Sequence, residues 1–399
     1  MSIRRLSSVA AIAAALLATG CSRTSAEKAF AAGLAYAEQG SWQKAIDAYS
    51  EALQAKPDWI DAYVNRGVAR AALGDHAGAI KDYDAALRLD PNDTDTLANR
   101  GLARHELGQY KEALSDYNAA IAADDTNADA YRNRALTYRA LGDLAAAVED
   151  CGAAIRLDPE EVELYRTRAA IHREQKDEDN AVVDDALAGM TAQIAAAPQN
   201  AVPRRQRGLA FFETGEYALA LSDLSDAIRL APEYPDTYVA RAHAWFIQGQ
   251  TDKAIEDYTA ALDRRVGAVA EAYAGRGNAY ESAGNVAKAV ADYSEALRLD
   301  PEDDDTTMQL AWILATNSAQ QQRDAKRALE LATRAVALTD GRQWRGLDVM
   351  AAACAEAGNF ADAVKYAERA VALAPEDQQE EVRGRLAMYR SGRPYRQEG

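Results

Sequence analysis

The side chains that most often catalyse reactions or bind metals are few in this chain and lie far apart. Its four histidines, His76, His105, His172 and His243, do not have the spacing that a metal site requires. Its glycines form no phosphate-binding loop or dinucleotide-binding fingerprint, and no nucleophile elbow occurs. The sequence therefore predicts a protein that is not an enzyme and that holds no metal and no cofactor.

The chain has three cysteines, and only Cys21 lies in a context with a recognisable chemistry. Arg4 and Arg5 precede an apolar run over residues 6–18, which is typical of a bacterial export signal and too short to span a membrane. Residues 17–21, LATGC, resemble a lipobox, in which the cysteine is lipidated and becomes the first residue of the mature protein.

These features predict a lipoprotein signal peptide over residues 1–20 and a short tether over residues 21–25. Ser22 resembles the residue found after the lipidated cysteine in the outer-membrane sorting class. We therefore expect an outer-membrane lipoprotein on the periplasmic face, which touches the membrane only through its lipid anchor; a secreted protein without a lipid is the alternative. Cys151 and Cys354 are expected to be buried free thiols.

Arginine and aspartate recur 16 residues apart in seven pairs. These are Arg66/Asp82, Arg100/Asp116, Arg134/Asp150, Arg168/Asp184, Arg207/Asp223, Arg241/Asp257 and Arg276/Asp292. The regular recurrence favours a partly buried salt bridge inside each of seven structural units, with ligand binding as the alternative. If so, removing Asp116 alone should destabilise the protein more than removing Arg100 and Asp116 together.

The units that would position these pairs are 34 residues long. Residues 60–93 and 94–127 repeat each other in register, and each contains two amphipathic helical patterns. Places within the unit are numbered from 1 at Ile60 to 34 at Asp93. Glycine usually stands at place 15, where it can end the first helix in the left-handed conformation. Proline often stands at place 32 and ends the second helix. Small residues at places 8 and 20 let the two helices approach closely.

These places, recurring together, resemble the tetratricopeptide repeat (TPR) family. The resemblance implies an all-α fold, a right-handed superhelix of helix–turn–helix repeats called an α-solenoid. Ten repeats are expected within residues 26–377, namely 26–59, 60–93, 94–127, 128–161, 162–200, 201–234, 235–269, 270–303, 304–343 and 344–377. The repeats 162–200 and 304–343 are irregular, the second because of a polar insert between its helices. Residues 378–399 are expected to form a capping helix and a loose tail.

In the TPR family, places 2, 6, 9 and 13 of the first helix line a concave groove that usually binds peptides. Asn65, Asn99 and Asn133 all stand at place 6, and an asparagine amide can both donate to and accept from a peptide backbone. This row is similar to the asparagine ladder of other TPR proteins. Solvated surface asparagines are the alternative.

Two further groups of residues are candidates for peptide binding on the same face. The first is a locally basic group that would attract an acidic side chain or a C-terminal carboxylate. It consists of Arg132, Arg139, Arg166, Arg173 and Arg205. An apolar group follows it in the chain: Phe212, Phe246 and Ile247. The alternatives are pairing within helices, Asp129 with Arg132 and Glu163 with Arg166, and packing of the aromatic rings against their neighbours.

The formal net charge of −17 argues against nucleic acid as a partner. Together with the resemblance, the sequence predicts a scaffold or adaptor at the bacterial cell envelope that binds extended segments of protein partners. A self-associating structural protein of the envelope is a second interpretation. A third, an enzyme, would need a catalytic group inside the irregular repeat 304–343.

Overall fold

The computed structural model describes residues 24–264 and 269–397. The predicted signal peptide and the predicted lipidation site Cys21 lie outside these residues. The chain divides into two compact units, the first ending at Ala196 and the second beginning at Ala197. Each unit is described by itself.

The first unit consists of five helical hairpins. Their helices are α1 (Ser25–Glu38), α2 (Trp42–Ala55), α3 (Ile60–Ala72), α4 (His76–Leu89), α5 (Thr94–Glu106), α6 (Tyr110–Ala123), α7 (Ala128–Leu141), α8 (Leu144–Leu157), α9 (Val162–Glu174) and α10 (Glu178–Ala196). The 19 residues of α10 make it longer than the other helices, which is the irregularity expected in repeat 162–200.

The second unit consists of five more hairpins and one further helix. Its helices are α11 (Ala201–Glu213), α12 (Tyr217–Leu230), α13 (Pro235–Ile247), α14 (Thr251–Arg264), α15 (Val269–Ser282), α16 (Val286–Leu299), α17 (Asp304–Thr316), α18 (Ala325–Leu338), α19 (Trp344–Glu356), α20 (Phe360–Leu373) and α21 (Gln379–Arg390). A short 3-10 helix, Gln320–Gln322, lies in the polar insert. The predicted all-α fold of paired helices is confirmed.

Nine of the ten hairpin turns contain a residue with positive φ, and the turn that carries the polar insert contains none. Gly142 ends α7 with φ 82°, a backbone conformation that costs a residue with a Cβ about 1–2 kcal/mol. Lys176 takes the same place after α9 with φ 63°. The Lys176 N–H still donates to the Arg173 carbonyl at 3.0 Å, so the turn keeps its hydrogen bonds although the side chain strains it.

The two helices of a hairpin touch through residues of complementary size. A Cβ on Gly67 would lie 2.6 Å from the ring of Tyr83, and a Cβ on Gly277 would lie 2.6 Å from the ring of Tyr293. Where the second helix carries a small residue instead, the first helix carries alanine, as at Ala135 opposite Cys151. In these hairpins the small residue of the first helix compensates for the volume of its neighbour, whereas Ala242 stands opposite the large Tyr258.

All seven predicted arginine–aspartate pairs form inside their own hairpins. In each pair two guanidinium nitrogens donate to the carboxylate; in the Arg100/Asp116 pair the distances are 3.1 Å and 2.7 Å. The Asp116 side chain is only 3% exposed, while that of Arg100 is 18% exposed. The hydrogen bond from Arg134 to Asp150 raises the pKa of Arg134, which therefore stays charged.

The third guanidinium nitrogen of several of these arginines reaches the preceding hairpin. Arg100 Nη1 donates to Asp84 Oδ1 at 2.7 Å, and Arg134 Nη1 donates to Asn118 Oδ1 at 2.7 Å. Arg241 and Arg276 make the same kind of contact with Ser225 and Thr259. One arginine thus joins three helices, which supports the structural interpretation of the pairs rather than ligand binding.

The expectation of a loose tail after α21 is wrong for residues 391–397. Gln397 N–H donates to the Thr316 carbonyl at 2.9 Å, and Gln397 also forms an isolated parallel bridge with Asn317. The ring of Tyr395 lies 5.7 Å from that of Trp312. The polar, arginine-rich composition of the segment suggested a solvated end, but its aromatic and charged side chains find partners on α17 and α19.

Candidate functional site

The accessible strip of the first helices in the first unit is narrower than the sequence indicated. Val68, at place 9, was expected to face away from the hairpin, but it is 8% exposed and packs in one cluster with Tyr83 and Ala103. The first helix of the next repeat thus covers place 9 at Val68, whereas Leu102 and Leu136, at place 9 of the two following repeats, are partly exposed. The strip left open consists mainly of places 2, 6 and 13, together with part of place 9 in the later repeats.

A cavity of about 260 Å³ lies in this strip between α3 and α5, and we call it the Asn99 cavity. Its lining is mostly apolar, and it also includes three polar side chains, His76, Asn99 and Glu106. Asn99 Nδ2 and His76 Nδ1 are buried and have no hydrogen-bond partner within the protein. A buried donor without an acceptor costs about 1–3 kcal/mol, so the cavity carries polar groups that a ligand could satisfy.

The three asparagines at place 6 do not form a row of equivalent free amides. Asn65 Nδ2 donates to the Asp61 carbonyl of its own helix at 2.7 Å. Asn133 is 7% exposed, and it therefore presents little surface to a partner. Back-bonding within a helix is a common alternative for an asparagine side chain, and the sequence pattern could not distinguish it from an exposed amide. Asn99 is the member of the row that lines the cavity.

The expectation of a locally basic groove is wrong for the four arginines of the first unit, because acids neutralise them. Arg132 lies 2.8 Å from Asp129, and Arg166 lies 2.6 Å from Glu163, which are the helix pairings that the sequence left open. The other two arginines pair with acids on other helices, Arg139 with Glu174 at 2.5 Å and Arg173 with Asp185. Whether any of these residues binds a peptide stays a prediction.

The remaining candidates belong to the second unit, and they differ from one another. The guanidinium of Arg205 lies 5.6 Å from the centre of the Tyr234 ring. Phe212 packs 5.6 Å from Tyr217, and Phe246 is partly buried in a cluster of neighbouring side chains, which is the packing alternative. Ile247 is 51% exposed and keeps an accessible apolar surface.

A cavity of about 360 Å³ in the second unit was missed by the sequence reasoning. We call it the tryptophan cavity, because Trp312 and Trp344 line it together with residues of α17, α19 and α21. Asp348 and Arg385 form a buried ion pair at 2.7 Å in its wall, where burial raises the pKa of Asp348 and Arg385 opposes that rise. Trp312 stands at place 9 of its repeat, so the rule for the free face could have found it.

A third cavity, of about 630 Å³, lies beside the polar insert of the same unit and is lined by Glu281, Asn285, Ser318 and Gln397, among others. We call it the insert cavity. Glu281 accepts a hydrogen bond from the Tyr293 hydroxyl at 2.8 Å, and burial raises the pKa of its carboxyl.

The two cysteines within the described ranges are free and buried, as predicted. Burial raises the pKa of Cys151 to about 12 and that of Cys354 to about 11, so neither thiol is reactive at neutral pH. Among residues 24–264 and 269–397, no group of three or more histidines, cysteines and acids is placed to hold a metal ion. None of the helices described is long and apolar enough to cross a membrane.

Several models of the tetratricopeptide repeat match the chain. One matches residues 60–93, 128–161 and 270–303, which are the bounds of three repeats read from the sequence. Others match residues 33–74 and 101–142, residues 205–265, and residues 82–115. Since these matches together cover more than half of the chain, the chain belongs to the tetratricopeptide repeat family. Such repeats are protein-interaction modules, so the protein is, in general terms, a protein-interaction scaffold.

Solved structures with a similar arrangement of helices have low sequence identity to this chain. MamA from Desulfovibrio magneticus RS-1 is 24% identical, with 43% of this chain and 98% of MamA covered and a TM-score of 0.41. Yeast Tom70 is 16% identical, with 92% of this chain and 96% of the Tom70 chain covered and a TM-score of 0.41. No curated protein sequence matches the chain.

Proposed function

We propose that this protein is a non-enzymatic scaffold of the bacterial cell envelope that binds extended segments of partner proteins along the first helices of its repeats. The Asn99 cavity is the observation that carries this proposal. An extended segment offers what the cavity needs, because its backbone carbonyls can accept from Asn99 Nδ2 and one of its apolar side chains can fill the apolar lining.

The envelope location rests on the sequence of residues 1–22 alone. The positive start, the short apolar run and the lipobox-like LATGC support export followed by lipidation of Cys21. An acyl chain contributes about 0.8 kcal/mol of membrane binding for each buried CH₂ group. A scaffold held in this way would keep its partners close to the membrane surface.

Filling the Asn99 cavity is expected to reduce partner capture at least tenfold. Ala72 lines the cavity and is exposed, so Ala72→Trp blocks the cavity from its rim. Lys81→Trp is the matched control, since it adds a tryptophan to an exposed place on the second helix of the same repeat. The assay is chemical crosslinking in intact cells, purification of the full chain, and quantitative mass spectrometry of the crosslinked proteins. Equal capture by the two variants would count against binding at this cavity.

The Cys21→Ala variant, used in the same crosslinking assay, tests the proposed location at the membrane. This variant is expected to leave the membrane fraction, to lack the lipid mass on its amino terminus, and to lose its membrane-bound partners. A Cys21→Ala protein that stays in the membrane fraction without a lipid would contradict the proposed anchor. Light scattering of both forms shows whether capture is instead self-association, in which case the mass would rise with protein concentration.

A further inference from the structure

In the second unit, the segment Arg393–Gln397 lies in contact with the first helices α17 and α19, and we call it the strap. Its Tyr395 ring lies 5.7 Å from the Trp312 ring, and the Arg385 guanidinium lies 5.6 Å from the Tyr395 ring centre. Its Arg396 forms an ion pair with Glu356 Oε2 at 2.5 Å. The Gln397 N–H donates to the Thr316 carbonyl.

These contacts are of the kind that an extended ligand makes with a receptor. An aromatic side chain packs on a tryptophan, the following basic side chain pairs with a partly buried carboxylate, and the backbone makes a hydrogen bond at the end of the segment. Trp312 stands at place 9 and Glu356 at place 13 of their repeats, which are two of the places expected to face a partner. The strap therefore lies where a bound segment is expected to lie.

Glu356 shows that this site is built for a basic side chain. The carboxylate is 13% exposed, and its Oε1 accepts a hydrogen bond from Arg323 Nε at 2.9 Å. Its other oxygen, Oε2, forms an ion pair with Arg396 of the strap but accepts no hydrogen bond within the described part of the chain. Without the strap, the carboxylate would keep Arg323 as its counter-ion, but its buried Oε2 would lose the cation that now lies 2.5 Å away. A segment that replaces the strap and carries a cation in the same position restores this ion pair.

We propose that this surface binds partner segments in which an aromatic residue is followed by a basic residue, and that the chain's own strap occupies it until such a segment displaces it. The proposal rests on the proposed function, since it assumes that extended segments bind along the first helices. It adds the chemistry that the second unit selects, and it makes the strap a competitor that sets a threshold for binding.

The two cavities beside the strap explain how a partner can compete with a tethered segment. Trp312 lines the tryptophan cavity, and Gln397 lines the insert cavity. A tethered strap has an effective concentration of about the millimolar range, so a partner must gain affinity elsewhere. A longer segment gains it by placing further side chains in the tryptophan cavity, which no residue of the strap from Arg393 to Gln397 lines.

A fluorescent peptide with the sequence of residues 391–397, SGRPYRQ, tests the proposal by anisotropy. In the full chain carrying Tyr395→Ala and Arg396→Ala, the strap no longer competes, and the peptide is expected to bind at least tenfold more tightly than it binds the unmodified chain. A control peptide with tyrosine and the following arginine exchanged is expected to bind the variant at least tenfold more weakly. Equal binding to both proteins, or no binding to either, would overturn the proposal.

Three further measurements locate the bound peptide, verify folding and detect exchange of straps between molecules. Glu356→Gln in the same variant is expected to weaken peptide binding at least tenfold, and unchanged binding would place the peptide elsewhere. Circular dichroism verifies that each variant is folded, and Arg396→Ala alone replaces the double variant if that one unfolds. A dimer held by exchanged straps would show in light scattering and would overturn displacement by a partner. Capture that depends on Ala72 is unaffected by the strap variants, so each proposal can fail separately.

Discussion

Asp116→Ala is expected to lower the free energy of unfolding by about 3 kcal/mol, near the lower end of what breaking a buried ion pair costs. The carboxylate of Asp116 accepts from Arg100 and also from Arg104 Nη1 at 2.7 Å. Removing it takes the shared acceptor from two guanidinium groups, of which Arg100 keeps only its hydrogen bond to Asp84, in a site where the aspartate is almost fully buried. Chemical denaturation of the full chain, followed by circular dichroism, measures the loss.

Asp150 provides the matched comparison, because Arg134 is the arginine that donates to it. Asp150→Ala is expected to cost less than Asp116→Ala, and the double change Arg134→Met and Asp150→Ala is expected to cost less than Asp150→Ala alone. Glu174→Ala, which breaks the largely exposed pair with Arg139, is expected to cost below about 1 kcal/mol. If all three single changes cost the same, the pairs do not act as buried salt bridges.

Gly67→Ala is expected to destabilise the protein by about 2 kcal/mol, although the same change normally stabilises a helix. The added Cβ would lie 2.6 Å from the Tyr83 ring, and Tyr83 is 2% exposed and cannot move into solvent. The helix must therefore shift away from its partner, which weakens the contact on which the hairpin depends. Thermal and chemical denaturation both report the change.

Gly189→Ala is the control for this prediction, since Gly189 lies within α10 and a Cβ there meets nothing within 4 Å. It is expected to stabilise the protein by about 0.5–1 kcal/mol, the usual gain when alanine replaces glycine inside a helix. The two substitutions should thus have opposite signs. A stabilising Gly67→Ala would show that the hairpin tolerates a wider separation than the structure indicates.

The fold could be predicted from the sequence because each repeat restates the same local rules. Glycine at the turn, small residues at the helix crossing and the arginine–aspartate pair all concern contacts within one hairpin or between neighbouring hairpins. The volume compensation at Gly67 and Ala135 follows from the same places. Lys176, which stands where most repeats have glycine, adopts the same positive φ and so follows the same rule for the turn.

The binding surface could be predicted only in part, because side-chain pairing on a helix face is not visible in a periodic pattern. Asn65 and Asn99 stand at the same place, yet Asn65 Nδ2 donates to its own helix and Asn99 Nδ2 has no hydrogen-bond partner within the protein. The pairs of Arg139 with Glu174 and of the strap with Glu356 join residues 35 and 40 positions apart. Trp312 could have been found, since it obeys the rule for the free face that was applied only to earlier repeats.

Site-specific photocrosslinking tests the central claim, that partners bind along the first helices, most directly. A photoreactive phenylalanine derivative is placed at Ala72 and at Gln309, which line cavities of the two units, and at the exposed Lys81 and Glu330 on second helices. We expect protein adducts from positions 72 and 309 after illumination of living cells, and at most a tenth as much from positions 81 and 330. Equal or stronger adducts from positions 81 and 330 would contradict the account.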